Sequence, residues 1–460
     1  MSDGAPDRTP WRKKRWSGRS PAVPAVTVPG VLAPDRLWTR ELARMLCELG
    51  VELLRAGKRT ASVESDLGEI AACYGMLARS FVVPTGLFVR VEQLDAEADG
   101  ELDFALLTGG DLRLDQAQVL EDLMVRMRAE ALPFAEVHAA LEAMRTLPRS
   151  VGPALSVFGY VVATVGLGMM FHATVPAVIG YAVLGLVIGL LRVLTASRFP
   201  FLGPVLPVLS GALATGLAQA FAGPLLHESP QFMFIAPLVG FLPGAALSMA
   251  PIELSLGYTL SGVSRLAGAL NVLLMLAVGI LVGVQSVDAR PAAGPPPPLM
   301  GEWVGWVGAV LFLVGFVLYF SAPVRTVPWM VAALLLARVV QTAGEALGGL
   351  ALGAFLAGMM LPPMALWIQR RHRIPELLIF LPCYWVLVPG ASSLEGVTQL
   401  LSRHTAASMG LLVNAVVTLV AIGLGILAGA RLGSRPRVRL GSPPQPPAPA
   451  PASTPSPAAT

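Results

Sequence analysis

Two Pro-Gly pairs lie inside apolar stretches of the chain, Pro243-Gly244 and Pro389-Gly390. A proline removes an amide donor and a following glycine loosens the helix, so each pair leaves carbonyls and a half-helix end free to meet a polar solute. Polar residues follow both: Ser248 and Glu253 after the first, Ser392, Ser393 and Glu395 after the second. This set suits a small zwitterionic or anionic solute, and Pro243, Gly244, Ser248, Pro389, Gly390, Ser392 and Ser393 are its candidate binding residues. A Pro-Gly pair can also simply end a helix; its repetition in two places argues for a site. Arg338, Gln341 and Glu345 share one helical stripe of an apolar segment, where charges must pair or face water. Arg338 and Glu345, with Glu253 and Arg265 on a segment expected to re-enter the membrane from Ser255 to Arg265, are candidates for proton coupling and charge balance, structural ion pairs being the alternative. Asn271 and Asn414 are expected to hydrogen-bond between helices.

Enzyme chemistry finds no support in the motifs. Gly57-Lys58-Arg59-Thr60 lacks the upstream glycine and the Lys-Ser/Thr pair of a phosphate-binding loop. His227-Glu228 has no second histidine at zinc spacing, and the five histidines are scattered, so neither metal nor cofactor is expected. No base is arranged for Ser248, Ser392 or Ser393. Asp66, Glu69, His138 and Glu142 read as solvated helix faces. Cys47, Cys73 and Cys383 have neither paired nor CxxC spacing, which excludes a disulfide framework and a thiolate zinc site.

The elements that must position these residues follow from composition. Of 460 residues 54% are hydrophobic and only 13% charged, and the mean hydropathy is +0.67, too apolar for one soluble domain. The net charge of +4 lies between apolar runs rather than in an aromatic-laced patch, so no nucleic acid is expected. Residues 1–33 are Pro-rich and basic without an apolar core, and the tail 432–460 is almost wholly Pro, Ala, Ser and Thr from Ser442 onward; both are expected to be disordered, the first membrane segment acting as its own insertion signal. Residues 34–149 alternate helical and period-two patterns: helices to Gly57 and over Thr60–Tyr74, strands at 81–83, 87–91 and 102–107, then helices over 115–131 and 133–147. That is an α+β domain, cytoplasmic by the distribution of arginines. Hydropathy places ten spans at 151–171, 175–194, 201–223, 231–250, 262–284, 303–321, 327–344, 346–368, 375–393 and 406–430. Arg192, Arg198, Arg265, Arg325, Arg370, Arg371 and Arg373 then fall in inner loops, and both termini are cytoplasmic. Residues 150–285 and 302–431 hold five spans each around a Pro-rich linker, 286–301. An odd number per half inverts the second copy, so the expected fold is an α-helical polytopic membrane protein of two five-helix inverted repeats with a soluble N-terminal domain.

Leu54-Arg55-Ala56-Gly57, Val63-Glu64, Gly75 and Val83-Pro84-Thr85-Gly86, followed by Pro243-Gly244, Glu253-Leu254, Gly257, Ser261-Gly262 and Arg265, resemble the threonine/serine exporter family across residues 35–430. The resemblance implies an inner-membrane secondary transporter that exports threonine, serine or a similar small amino acid, driven by the proton-motive force. Its partners would be that solute, protons and membrane lipids, with monomer and homo-oligomer equally open. Relatives split into two chains are associated with dicarboxylate export, so a dicarboxylate such as succinate is the alternative solute. Glu253 stands where the family commonly has Asp. A membrane-anchored enzyme or signalling protein acting through the N-terminal domain is the reading of another class.

Overall fold

The computed structural model describes residues 36–93, 100–288, 290, 295, 297–301, 303–387 and 405–433. The N-terminal part, the head, is built on α1 (Arg36–Arg55), whose Leu42, Leu46, Leu49 and Leu53 recur at helical spacing and are fully buried. Gly57 takes φ +75°, which a side chain would strain, and turns the chain into α2 (Thr60–Cys73). Three antiparallel strands follow in the order β1 (Met76–Val83), β2 (Gly86–Gln93) and β3 (Glu101–Leu106). Leu87, Val89 and Val91 face α1 and Val82 lies beside α2, while Phe81, Phe88 and Phe104 lie on the open face. The first strand starts at Met76 rather than near Phe81: pairing of Met76 with Gln93 recruits residues of weak strand preference. Helices α3 (Leu114–Ala129) and α4 (Phe134–Arg145) complete a hydrophobic core separate from that of the rest of the chain.

The apolar part begins with α5 (Pro153–Phe171), α6 (Val175–Arg198) and, after a 3-10 turn at Pro200–Val205, α7 (Leu206–Leu226). Then come the short α8 (Pro230–Leu238), α9 (Gly244–Ser255) and the long α10 (Thr259–Ser286), which closes the first half. The second half holds α11 (Val304–Phe320), α12 (Val327–His372), α13 (Glu376–Leu387) and α14 (Thr405–Gly433). Among the described residues five helical segments are long and apolar enough to cross a membrane, and other apolar helices are shorter. The 46-residue α12 is not one rod. Gly348 and Gly349 leave helical geometry, and a β-carbon on Gly344 would meet the Gly353 Cα at 2.6 Å, so the chain reverses into two antiparallel arms. No residue but glycine fits Gly349 easily, at φ +80°.

Glycines let backbones touch where helices cross. A β-carbon on Gly166 would lie 2.5 Å from the Gly308 carbonyl, and one on Gly315 would lie 2.5 Å from that of Gly159, which joins α5 to α11 across the halves. Within the first half a β-carbon on Gly279 would lie 2.2 Å from the Val208 carbonyl and one on Gly283 2.7 Å from that of Ala212. Within the second, one on Gly425 would lie 2.2 Å from the Phe355 carbonyl and one on Gly429 2.0 Å from that of Met359. Asn271 and Asn414 are exposed on α10 and α14 rather than between helices, because these glycine faces leave no room for them in the contact.

Candidate functional site

The first break forms as its prolines dictate. Pro237 interrupts α8, a 3-10 turn at Val239–Phe241 follows, and Pro243 holds Leu242 in extended geometry (φ −64°, ψ 125°) before α9 restarts at Gly244. The freed carbonyls find side chains: Tyr160 Oη donates to Pro237 O (2.6 Å), and Arg192 Nη1 donates to Gly240 O (3.1 Å). Gly244 lies against α13, where a β-carbon would meet the Tyr384 ring at 2.5 Å and the Trp385 ring at 3.3 Å. The fourth segments of the two halves therefore touch at this glycine. Ser248 lies in α9, while Pro389, Gly390, Ser392 and Ser393 lie outside the described residues.

Around the break is an aromatic cage that the sequence did not disclose. Arg192, expected in an inner loop, sits within α6 with its guanidinium 4.4 Å from the Phe241 ring centroid, 5.4 Å from that of Tyr160 and 5.3 Å from that of Tyr319. The aromatic faces and the Gly240 carbonyl draw the side chain inward. Tyr160, Thr164, Gly240, Tyr319 and Trp385 line a cleft here of about 20 Å³. These rings come from α5, α11 and α13, far apart in sequence, and no local spacing announces them.

The head docks where α9 ends. Glu253, buried, accepts from the Thr60 N–H (3.2 Å) and hydroxyl (3.1 Å) at the start of α2 and pairs with Arg265 Nε (3.0 Å). Arg265 Nη2 donates on to the Lys58 carbonyl (3.2 Å), and Tyr258 Oη donates to Glu64 (2.8 Å). The expected re-entrant stretch is instead a turn, with Gly257 at φ +87°, and Arg265 belongs to α10. The turn suffices because the head supplies the partners that a buried loop would otherwise lack. Elsewhere Arg325 pairs with Asp122 (2.9 Å), Gln369 donates to Glu121 (3.1 Å), Gln118 donates to the Arg373 carbonyl (3.0 Å), and Arg59 pairs with Glu376 (3.6 Å).

Between head and apolar part lies a cavity of about 550 Å³. Both signs of charge line it: Lys58, Arg59, Arg128, Arg370 and Arg373 against Asp66, Glu69, Glu121 and Glu376. Asp66 and Glu69, read from sequence as solvated, bind Arg128 (2.6 and 3.1 Å), and Asp66 also holds Lys58 (3.0 Å) with Glu121 (3.1 Å). Burial alone would lower the Lys58 pKa, but the Asp66 and Glu121 carboxylates more than reverse this and hold it above its ordinary value. Burial pushes the Cys47 thiol up to about 12, which suits a core atom rather than a nucleophile. Arg338 and Glu345 lie apart from both places, in the first arm of α12; Arg338 Nη1 donates to Gln341 (3.2 Å), and no ion pair joins Arg338 to Glu345 among the described residues.

A further polar cluster joins the α5–α6 and α7–α8 connections, at the opposite end of those helices from the head. Glu228, buried, meets His172 Nε2 at 3.0 Å and accepts from the Thr174 hydroxyl, while the imidazole stacks on Phe232 with centroids 4.1 Å apart. Its partners come from a separate loop, so a search for histidines near Glu228 in sequence passes over them.

Apolar helices packed around a broken segment, with charge collected at the break and at the head junction, define a multi-pass helical membrane protein. A family model described as "Putative threonine/serine exporter" matches residues 44–287, and a second, "Threonine/Serine exporter, ThrE", matches 306–430. The chain belongs to the threonine/serine exporter family. No curated protein and no solved structure matches it.

Proposed function

We propose that the chain is a secondary transporter that exports threonine, serine or a similar small amino acid across the inner membrane, coupled to the proton-motive force. The observation that carries this, beyond family membership, is the contact of Gly244 with Tyr384 and Trp385, which brings the broken helix of one half against its counterpart in the other. The matched glycine contacts of the two halves support an inverted repeat, in which one half rocks against the other around that contact. The solute binds between the breaks, at Pro243, Gly244 and Ser248 on one side and Pro389, Gly390, Ser392 and Ser393 on the other. The mixed charges of the cavity beneath the head suit the ammonium and carboxylate of a zwitterion on its way in, and place an amino acid ahead of a dicarboxylate.

Glu253 and Glu345 carry the coupling proton in this reading, with Arg265 and Arg338 balancing charge. Protonation of Glu253 would weaken its hold on Arg265 and Thr60 together, tying proton movement to docking of the head. The test is efflux from cells preloaded with a threonine-containing dipeptide, with and without the protein and with and without an uncoupler. Uncoupler-sensitive efflux of threonine is expected; efflux of loaded succinate alone would transfer the reading to dicarboxylates. If Glu253→Gln and Glu345→Gln both export at the normal rate across a pH gradient, the proton assignment is wrong.

A further inference from the structure

Resting on the exporter reading, we propose that Arg192 binds the carboxylate of the transported solute. Arg192 is half-buried within an apolar bundle, where a guanidinium calls for an anion or a dense set of acceptors. Among the described residues no carboxylate pairs with Arg192, and the acceptors for its five N–H donors are all neutral, Gly240 O and the Tyr160 and Tyr319 hydroxyls. The faces of Phe241, Tyr160 and Tyr319 hold the cation by quadrupole attraction, which fixes its position and leaves its charge uncompensated. The bundle thus keeps a fixed positive charge against the carbonyl of a broken helix.

A second observation points to the same ligand. Three groups that Arg192 touches, Tyr160, Gly240 and Tyr319, line the small cleft at the break, and so does Trp385. The Trp385 indole N–H is buried with no acceptor among the described residues. A buried donor without an acceptor costs free energy unless a ligand completes it. A carboxylate answers both groups, since it takes paired N–H bonds from a guanidinium and has lone pairs left for an indole. At about 20 Å³ the cleft has room for a water and not for an amino acid. The structure therefore shows the site shut, and opening it requires α13, which carries Trp385, to part from α11, whose Phe312, Phe316 and Phe320 rings pack on the indole.

The test uses the full chain in proteoliposomes and measures counterflow of labelled threonine competed by threonine or by threoninamide, which lacks the carboxylate. Wild-type protein is expected to prefer threonine by about tenfold or more, the worth of a charged hydrogen bond. Arg192→Gln should raise the KM for threonine by a similar factor and bring threonine down to the level of threoninamide. Arg192→Lys should keep the preference with an intermediate KM and an unchanged kcat. An Arg192→Gln protein that prefers threonine as strongly as the wild type overturns the proposal and leaves the exporter reading intact. If Arg192→Gln does not fold, Arg192→Lys decides, and an unaltered KM there counts equally against it. Wild-type protein that carries no threonine would instead overturn the exporter reading.

Discussion

The two halves of the apolar part share a scaffold and divide the chemistry. Gly279 and Gly283 touch the backbone of α7 as Gly425 and Gly429 touch that of α12, and α6 and α12 both start at Thr-Val-Pro, Thr174-Val175-Pro176 and Thr326-Val327-Pro328. Both threonines are fully buried. Among the described residues the polar groups do not repeat. The first half holds Arg192 in its aromatic cage, the His172–Glu228 cluster and the Glu253–Arg265 pair, whereas the second offers the head Arg325, Gln369 and Glu376 from its loops and helix ends. Backbone packing follows one solution in both halves, while the proposed path across a membrane would need different groups at its two ends.

The largest effect expected tests the shared scaffold. Gly279→Leu and Gly425→Leu each place a side chain against a carbonyl that cannot move aside, at a cost of about 3 kcal/mol or more. Folded yield and unfolding temperature in detergent should fall equally for the two; a large loss in one alone would break the equivalence of the halves. Next comes the head junction, where Glu253→Gln leaves Arg265 without its anion and should weaken docking by about 3 kcal/mol. Faster hydrogen exchange at the start of α2 would read this, and unchanged protection would show that Tyr258 and Arg325 hold the head without it. Lys58→Met leaves Asp66 to Arg128 and Glu121 to the neutral Gln369, and should cost about 2 kcal/mol. The folded state binds the Lys58 proton more tightly than the unfolded one. Its contribution is therefore whole below the ordinary lysine value of 10.5 and is lost as pH rises through the raised one. Thermal unfolding between pH 7 and 11 should show this loss in wild type and not in Lys58→Met.

Smaller effects sharpen the contrast. Glu228→Gln keeps a hydrogen bond to Thr174 and weakens that to His172, for a loss of about 1 kcal/mol in unfolding free energy. Arg338→Gln, which gives up one bond to Gln341, should stay within about 0.5 kcal/mol. A loss at Arg338 as large as that at Glu253 would place an unseen partner in the second half.

Much of the scaffold was legible because it depends on local pattern. The leucines of α1, the glycine stops at Gly57 and Gly75 and the apolar segments each followed from spacing along one element. The Pro-Gly break at Gly244 was legible for the same reason, since a proline acts on its own neighbours. The cage around Arg192 was not, because its rings come from three elements. A basic residue near the end of an apolar run reads as a loop until Phe241 and Tyr319 are seen to cover it. The sequence marks Glu253 as a candidate proton carrier; its bond to Thr60 of α2, a contact between residues 193 apart in sequence, appears only in the structure. Spacing carries no information about such a partner.

The geometry of α9 makes it a lever arm. Gly244 lies at one end against α13, and Glu253 near the other end is tied to the first turn of α2. The nine intervening steps of about 1.5 Å put the carboxylate about 13 Å from the pivot, so each degree of tilt carries it about 0.2 Å. A hydrogen bond tolerates only a few such degrees before it must break or pull its donor along. In the proposed exporter each stroke at the break would reach the head as displacement, and a pair of fluorophores across the junction should then count turnovers one by one.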